Sequence, residues 1–411
     1  MKLTSASLAK IAGIGTIVFA FAIVIIGSIS VSMSNSNRVI MGVQTSDTTL
    51  AGMSKKEVKD YFAKKSQEKL KNKAAVLDYK KQQFVITPAD INLQAEIDKA
   101  ADDAYSIGRE HSFFINLLTQ LKCALFGQQV NMTATYDDNL LEQKLNAIKK
   151  QVDTPPVNAE IQLAGNGTIT KKAAVTGLTL DTAAIKEQLD AKLKSLRLTI
   201  KLNLVPEEQA PYVTDADIAN IDSILGSYTT KFAPGDRGDN IGIAASHLQG
   251  VLIKSQASLS FNQTVGKRTR AAGYKNAGVI VDGEPAIDVG GGVCQVSSTL
   301  YNAILLAGLK PTERCNHSLP SHYVPAGRDA TVADNLLDFV FQNPLPHPVM
   351  LRVSNTGSSL TIYVLGTKND LGGKTISLTS EGSAKEPSVY RIWRLNGQII
   401  EREFLHTDKY S

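Results

Sequence analysis

The sequence predicts an α+β protein: an N-terminal transmembrane helix, two repeated small α+β modules, then a mixed α+β domain with a β-rich C-terminal tail. Three observations lead there. Residues 11–37 carry no charge, a helix–hairpin–helix pattern occurs twice over 38–213, and from 214 onward glycine-punctuated strands surround one apolar helix without βαβ alternation. Of 411 residues 43% are apolar and 20% charged, a balance that excludes a disordered chain and suffices for two or three buried cores. The formal net charge of +5 gives no indication of a nucleic-acid partner.

Ile11 to Asn37 is bracketed by Lys10 and Arg38, and its portion up to Val31 is nearly all Ile, Val, Ala, Phe and Gly. Such a run is long enough to span hydrocarbon. With only Lys2 and Lys10 ahead of it, the positive-inside rule puts a short N-terminus in the cytoplasm and everything after it outside. The expectation for 1–37 is therefore an uncleaved single-pass anchor in the cell membrane with the C-terminal domain extracytoplasmic. The alternative is a long signal peptide cut near Ser28 to Ser34. No cysteine follows the run, so a lipid anchor on a cysteine there is not expected.

The repeats are expected over 38–127 and 128–213. Phe84 to Thr87, Ile91 to Leu93 and a helix from Ala95 to Ile107 echo Thr168 to Thr170, Leu178 to Leu180 and a helix from Asp181 to Leu196, a period of about 87 residues. Each copy also opens on a helix. Ser54 and Glu57 read as a capping box, and Asp137 precedes Leu140, Leu141, Leu145 and Ile148 at helical spacing. Between the copies, the apolar stretch from His111 to Phe126 reads as a core helix, with contact to a membrane surface as the alternative. Pro206 to Pro211 reads as a linker.

The next domain is expected over 214–366, opening on a helix from Asp215 to Leu225, and 367–411 as a β-rich extension with strands either side of Asn396-Gly397. Its most informative segment runs from Asp288 through Gly290, Gly291, Gly292, Cys294 and Gln295 to Gly308. The glycines permit close approach to a helix start, and Val296, Leu300, Ile304 and Ala307 mark a buried stripe. Cys294 then lies in the first helical turn, where unpaired amides and the helix dipole stabilise a thiolate. The neighbouring glycine amides and Gln295 are candidate oxyanion donors. His317 or His322 offers a base and Asp329 an orienting carboxylate, in the chain order Cys294, His317, Asp329.

Three other readings of Cys294 stay open at this level: a buried core residue, a disulfide with Cys315, and a metal site with Cys315, His317 and His322. No cofactor and no metal is expected, since nucleotide-binding, zinc-protease and serine-hydrolase motifs are absent. Arg237-Gly238-Asp239 is expected in a Gly/Asp turn, and His347 in a solvated Pro-flanked turn.

Several motifs together resemble the VanW family: Leu259-Ser-Phe261-Asn262 through Thr269, Gly273 to Ala277, Gly290 to Ala303, Arg314 with His317 and Ser318, Tyr323 to Val332, and Asp338 to Asn343. The two repeats are similar to the peptidoglycan-binding repeat that often precedes a VanW domain in membrane-anchored proteins of Gram-positive bacteria. The resemblance implies a cell-envelope role, peptidoglycan as partner and a connection to the glycopeptide response; it supplies no reaction. It selects Cys294, His317 and Asp329 as candidate catalytic residues, with Gly290, Gly291, Gly292, Gln295 and Tyr323 around a ligand. Asp288 stands where many relatives carry Glu, and Cys315 and His322 fall outside the family pattern. Three expectations stand: an envelope protein that associates with peptidoglycan without catalysis, a cysteine-dependent peptidoglycan amidase, peptidase or acyl transferase, or a purely structural spacer that holds a partner off the membrane.

Overall fold

The structure is a computed structural model and describes residues 5–165, 167–281 and 284–411. The chain divides into two compact units. One takes the chain up to Pro155 together with Gly177–Gln209, and the other takes Pro156–Thr176 together with Ala210–Ser411.

In the first unit both repeat copies open on capped helices. Ser54 and Glu57 close a reciprocal capping box on Lys55–Leu70, and the Asp137 carboxylate accepts from the Asn139 and Leu140 amides ahead of Asp138–Val152. The second helices are Ile97–Ser106 and Thr182–Lys194. In the first copy the hairpin is Ala75–Tyr79 with Gln82–Ile86. Ile91 to Leu93 is not extended as expected: Thr87 and Asp90 cap one another, and the chain turns through a 3-10 helix Ala89–Ile91 into left-handed Asn92. Strand Ile200–Asn203 pairs parallel with Ala75–Tyr79, so the end of the second copy completes the sheet of the first. Leu77, Ile86, Leu141, Leu145, Leu189 and Leu193 bury into one core drawn from both copies.

Two expectations for this unit are corrected. Among the described residues no helix is long and apolar enough to cross a membrane. The transmembrane anchor expected over 1–37 is therefore not supported. Helix Ser5–Asn35 turns polar at Ser28, Ser32, Ser34 and Asn35, and it runs beside a second helix, Phe113–Phe126. Residues 1–4 of the expected cytoplasmic end lie outside the described residues. Phe113–Phe126, read as a core helix, buries only Gln120 and Cys123, with Phe114 76% and Phe126 80% exposed. Gln120 Nε2 donates to the Gly108 carbonyl at 3.0 Å, and Asn116 Nδ2 donates to the His111 carbonyl at 2.5 Å.

The second unit is built around helix Val293–Leu306, buried along nearly its whole length. A four-stranded antiparallel sheet lies against it, in the order Ser223–Lys231, Ser359–Gly366, Val349–Asn355, Leu252–Ile253. A side chain at Gly226 would put its first carbon 2.5 Å from the Ala307 amide nitrogen, so only glycine lets strand and helix meet this closely. The expected helix from Asp215 stops at Ile218 because its Thr214–Asp217 capping box nucleates one turn before the edge strand begins. Hairpin Glu160–Leu163 with Ile169–Lys172 belongs here too. Ala159 and Ile161 pack with Val213, Ile218, Leu252, Met350 and Leu365, and the Ala159 amide donates to Val213 O at 2.9 Å. The tail folds as three antiparallel strands, Lys374–Gly382, Pro387–Leu395 and Gln398–Thr407, the last two joined by left-handed Asn396 and Gly397.

Candidate active site around Cys294

The start of the buried helix is set by three glycines. Gly290 and Gly292 have φ of +87° and +109°, and a first side-chain carbon at Gly291 would lie 2.6 Å from Gly278 O. The backbone is thereby pressed against hairpin Asn276–Val281/Glu284–Val289, and Cys294 becomes the second residue of the helix. The Val293 and Gln295 amides turn back onto Gly290 O and Gly292 O at 3.3 and 3.0 Å. The Cys294 amide is one of the first-turn donors at this helix start.

Below Cys294 the helix carries a polar face that registers it against loop 327–332. Asn302 Nδ2 donates to Arg328 O at 2.7 Å, and Ser297 Oγ donates to Ala330 O at 2.6 Å. The Ala330 amide donates to Ser298 Oγ at 2.9 Å, and the Cys294 thiol reaches Val332 O at 3.4 Å. These bonds fix where Asp329 stands relative to the sulfur.

The structure brings Cys294, His317 and Asp329 together. Asp329 Oδ2 accepts from the His317 backbone amide at 2.7 Å and lies 2.5 Å from the ring Nδ1, so the ring's other nitrogen is the one free to serve the sulfur. The ring lies near enough to the thiol for each group to shift the other's protonation. Asp329 is 1% exposed, while Cys294 as a residue is half-buried. Burial pushes the Cys294 thiol up, but the neighbouring His317 outweighs it and brings it below its ordinary value. Burial likewise opposes the charged His317, and the neighbouring Asp329 and Cys294 still raise it to about 9. Asp329 is pushed up by burial and held below the usual carboxylate range by His317 and Tyr410. Both shifts act in the direction of a thiolate–imidazolium pair.

The remaining predicted residues occupy distinct places. Gln295 is buried; its amide donates to Thr230 Oγ1 and Lys231 O at 3.1 and 2.9 Å and accepts from Arg237 Nη1 at 2.7 Å. Its side chain is thus committed to holding strand and helix together. The Gly290 amide is likewise engaged, donating to Lys275 O at 3.1 Å. Tyr323 lies beside Cys294 with the Arg237 guanidinium 5.9 Å from its ring centre. Arg237 does not sit in a Gly/Asp turn: it is in the first turn of helix Asp236–Ser246, and its guanidinium reaches Gln295 and Tyr323. His347 is paired as well, its Nδ1 2.8 Å from Asp370. All three cysteines are free thiols, so Cys294 and Cys315 form no disulfide, and among the described residues no group of three His, Cys, Asp or Glu could hold a metal ion.

Sequence reasoning missed Arg314 as a site residue, together with Asp408 and Tyr410. Arg314 Nε donates to Asp329 O at 2.6 Å, and its Nη1 and Nη2 clamp Asp408 at 2.5 and 2.6 Å. The Tyr410 hydroxyl donates to Asp329 Oδ1 and accepts from the Gly327 amide at 2.8 Å. Only the regular strand alternation of the tail hinted that its end returns to the core.

Residues 236–365, which hold all three central side chains, match the family described as "VanW like protein", and residues 84–201 match "Putative peptidoglycan binding domain". The chain is 45% identical over 140 residues to "Uncharacterized protein YoaR" of Bacillus subtilis, covering 34% of this chain and 46% of that one. It is 29% identical over 184 residues to "Vancomycin B-type resistance protein VanW" of Enterococcus faecalis, covering 41% of this chain and 67% of that one. The YoaR match thus spans under half of its length. No solved structure matches. On these matches the chain carries a VanW-like domain over 236–365, preceded over 84–201 by a region of the peptidoglycan-binding type.

Proposed function

We propose that this is an extracytoplasmic cell-wall protein whose VanW-like domain cleaves or transfers amide bonds of peptidoglycan peptides through Cys294. The carrying observation is the juxtaposition of Cys294, His317 and Asp329 at a helix N-terminus, with the ring bonded to Asp329 and the thiol brought below its ordinary value. The peptidoglycan-binding match over 84–201 supports the substrate class. The likeness to a vancomycin-resistance protein supports a place in the response to glycopeptides.

In this reading the thiolate adds to the amide carbonyl carbon, forming the C–S bond, and the developing oxyanion takes the Cys294 amide. The His317 imidazolium gives its proton to the departing nitrogen as the C–N bond breaks, which leaves a thioester and a neutral ring. Water or a second amine then attacks the thioester while His317 takes its proton, and thiolate and imidazolium are restored. Asp329 holds the ring orientation throughout. A second reading, ligand binding without turnover, is favoured by one observation: the Gln295 side chain and the Gly290 amide are already bonded within the protein and offer no further oxyanion donor.

The full chain incubated with purified peptidoglycan should pellet with it and release new primary amines, and Cys294→Ala should pellet equally but release none. Pelleting without release by the wild type would leave the binding reading. Absence of pelleting would remove peptidoglycan as the partner.

A further inference from the structure

We infer that the C-terminal segment 406–411 is a working part of the thiol site, in which Tyr410 and Arg314 are positioning residues for the Asp329 carboxylate and Asp408 holds Arg314 to that task. The inference rests on the reading of Cys294 as a nucleophile.

Donors divide cleanly over the two oxygens of Asp329. Oδ2 is given wholly to His317, through its backbone amide and its ring. Oδ1 takes the Tyr410 hydroxyl and, at 3.3 Å, Arg314 Nη2. Arg314 also spans the loop backbone at Asp329 O and Gly327 O, and its position is fixed from behind by both oxygens of Asp408. The side chains of Arg314, Asp408 and Asp329 are 9%, 5% and 1% exposed, so water does not substitute for these bonds. The charged and titratable groups facing this cluster are His317, His406 against Asp408, Tyr301 under the Arg314 guanidinium, and Cys294 with Arg268 beyond the ring.

The tail is also laced to the segment that carries His317. Asn316 Nδ2 donates to Lys409 O at 3.0 Å, and the Ser411 amide donates to Ser318 O at 2.8 Å. These backbone bonds alone would dock the tail. The two donors on Oδ1 do something further: they stop the buried carboxylate from turning about its Cβ–Cγ bond, and with it the imidazole that hangs from Oδ2. Without them the ring loses its aim at the sulfur.

The test uses the full chain with Tyr410→Phe, which deletes one oxygen, and separately Asp408→Asn, which frees Arg314. Cys294 alkylation by iodoacetamide is followed from pH 5 to 9 with Cys123 as the reference thiol. The expected result in both variants is an acid limb displaced to higher pH and a rate at pH 5.5 lower by about threefold or more, with Cys123 and far-UV circular dichroism unchanged. An unmoved limb would make the tail a packing element only. A limb displaced to lower pH would mean that the donors merely drain charge from Asp329, and either outcome overturns the inference. A wild-type limb like that of an ordinary thiol would instead overturn the nucleophile reading on which the inference stands.

Discussion

Replacing His317 with alanine removes the group that offsets burial at Cys294. In the intact site burial raises the thiol and His317 more than compensates; without the ring the largest remaining influence is the burial itself. Below both pKa values, each unit of separation between the two proteins changes the thiolate fraction tenfold, while thiolate nucleophilicity falls by only about 0.4–0.5 log unit. The wild type should therefore hold an advantage of about three- to fourfold per unit in acid. Above both values the fractions are equal, and the less basic wild-type thiolate becomes the slower nucleophile. The assay is iodoacetamide alkylation of the full chain between pH 5 and 10, read by mass spectrometry of the Cys294 peptide. Cys123, whose thiol burial pushes up, serves as an internal reference. The rate ratio of wild type to His317→Ala should be largest near pH 5 and fall past one only as pH reaches the burial-raised thiol of the variant. A flat ratio near one would refute the ion-pair reasoning.

Three further outcomes follow from the same geometry. Ser298→Ala leaves the buried Ala330 amide without its acceptor and should cost about 1–3 kcal/mol in urea unfolding. Gly291→Ala forces a carbon to within 2.7 Å of the Ala277 backbone, and the melting temperature should fall as expected for overpacking of about 1–3 kcal/mol. Burial pushes Asp408 up, yet His406 and Arg314 hold it at about 2, below its ordinary value of 3.8. Its contribution to stability is therefore complete above the unfolded value and lost as pH falls through about 2, so the urea midpoint of Asp408→Asn should vary less than that of the wild type between pH 5 and 2.

What could be read from the sequence was local. Three glycines followed by an apolar stripe announce a helix start, which places Cys294 without any knowledge of the rest of the fold. His317 and Asp329 stand twelve residues apart in one loop, close enough to be considered together. The paired helices of the repeats were legible from caps and spacing. Long-range pairings were not: Arg314 and Asp408 are 94 residues apart and Tyr410 and Asp329 are 81, and no periodicity encodes such meetings. Gln295 looked like a free donor because the strand that occupies its amide begins some seventy positions earlier in the chain. Phe113–Phe126 misled for the opposite reason, since apolar content does not say which face finds a partner.

Hairpin 160–172 is contributed to the second unit by a stretch of chain whose flanks belong to the first. A protein truncated to begin at residue 214 would retain Ile218, Leu252, Met350 and Leu365 but lack the Ala159 and Ile161 side chains that complete their packing, exposing oily surface to solvent. A fragment ending at 213 would carry that hairpin with nothing to lie on. Dissection of this molecule by simple truncation thus injures both halves at once, and single-residue substitutions in the intact polypeptide are the sounder way to separate wall attachment from thiol chemistry.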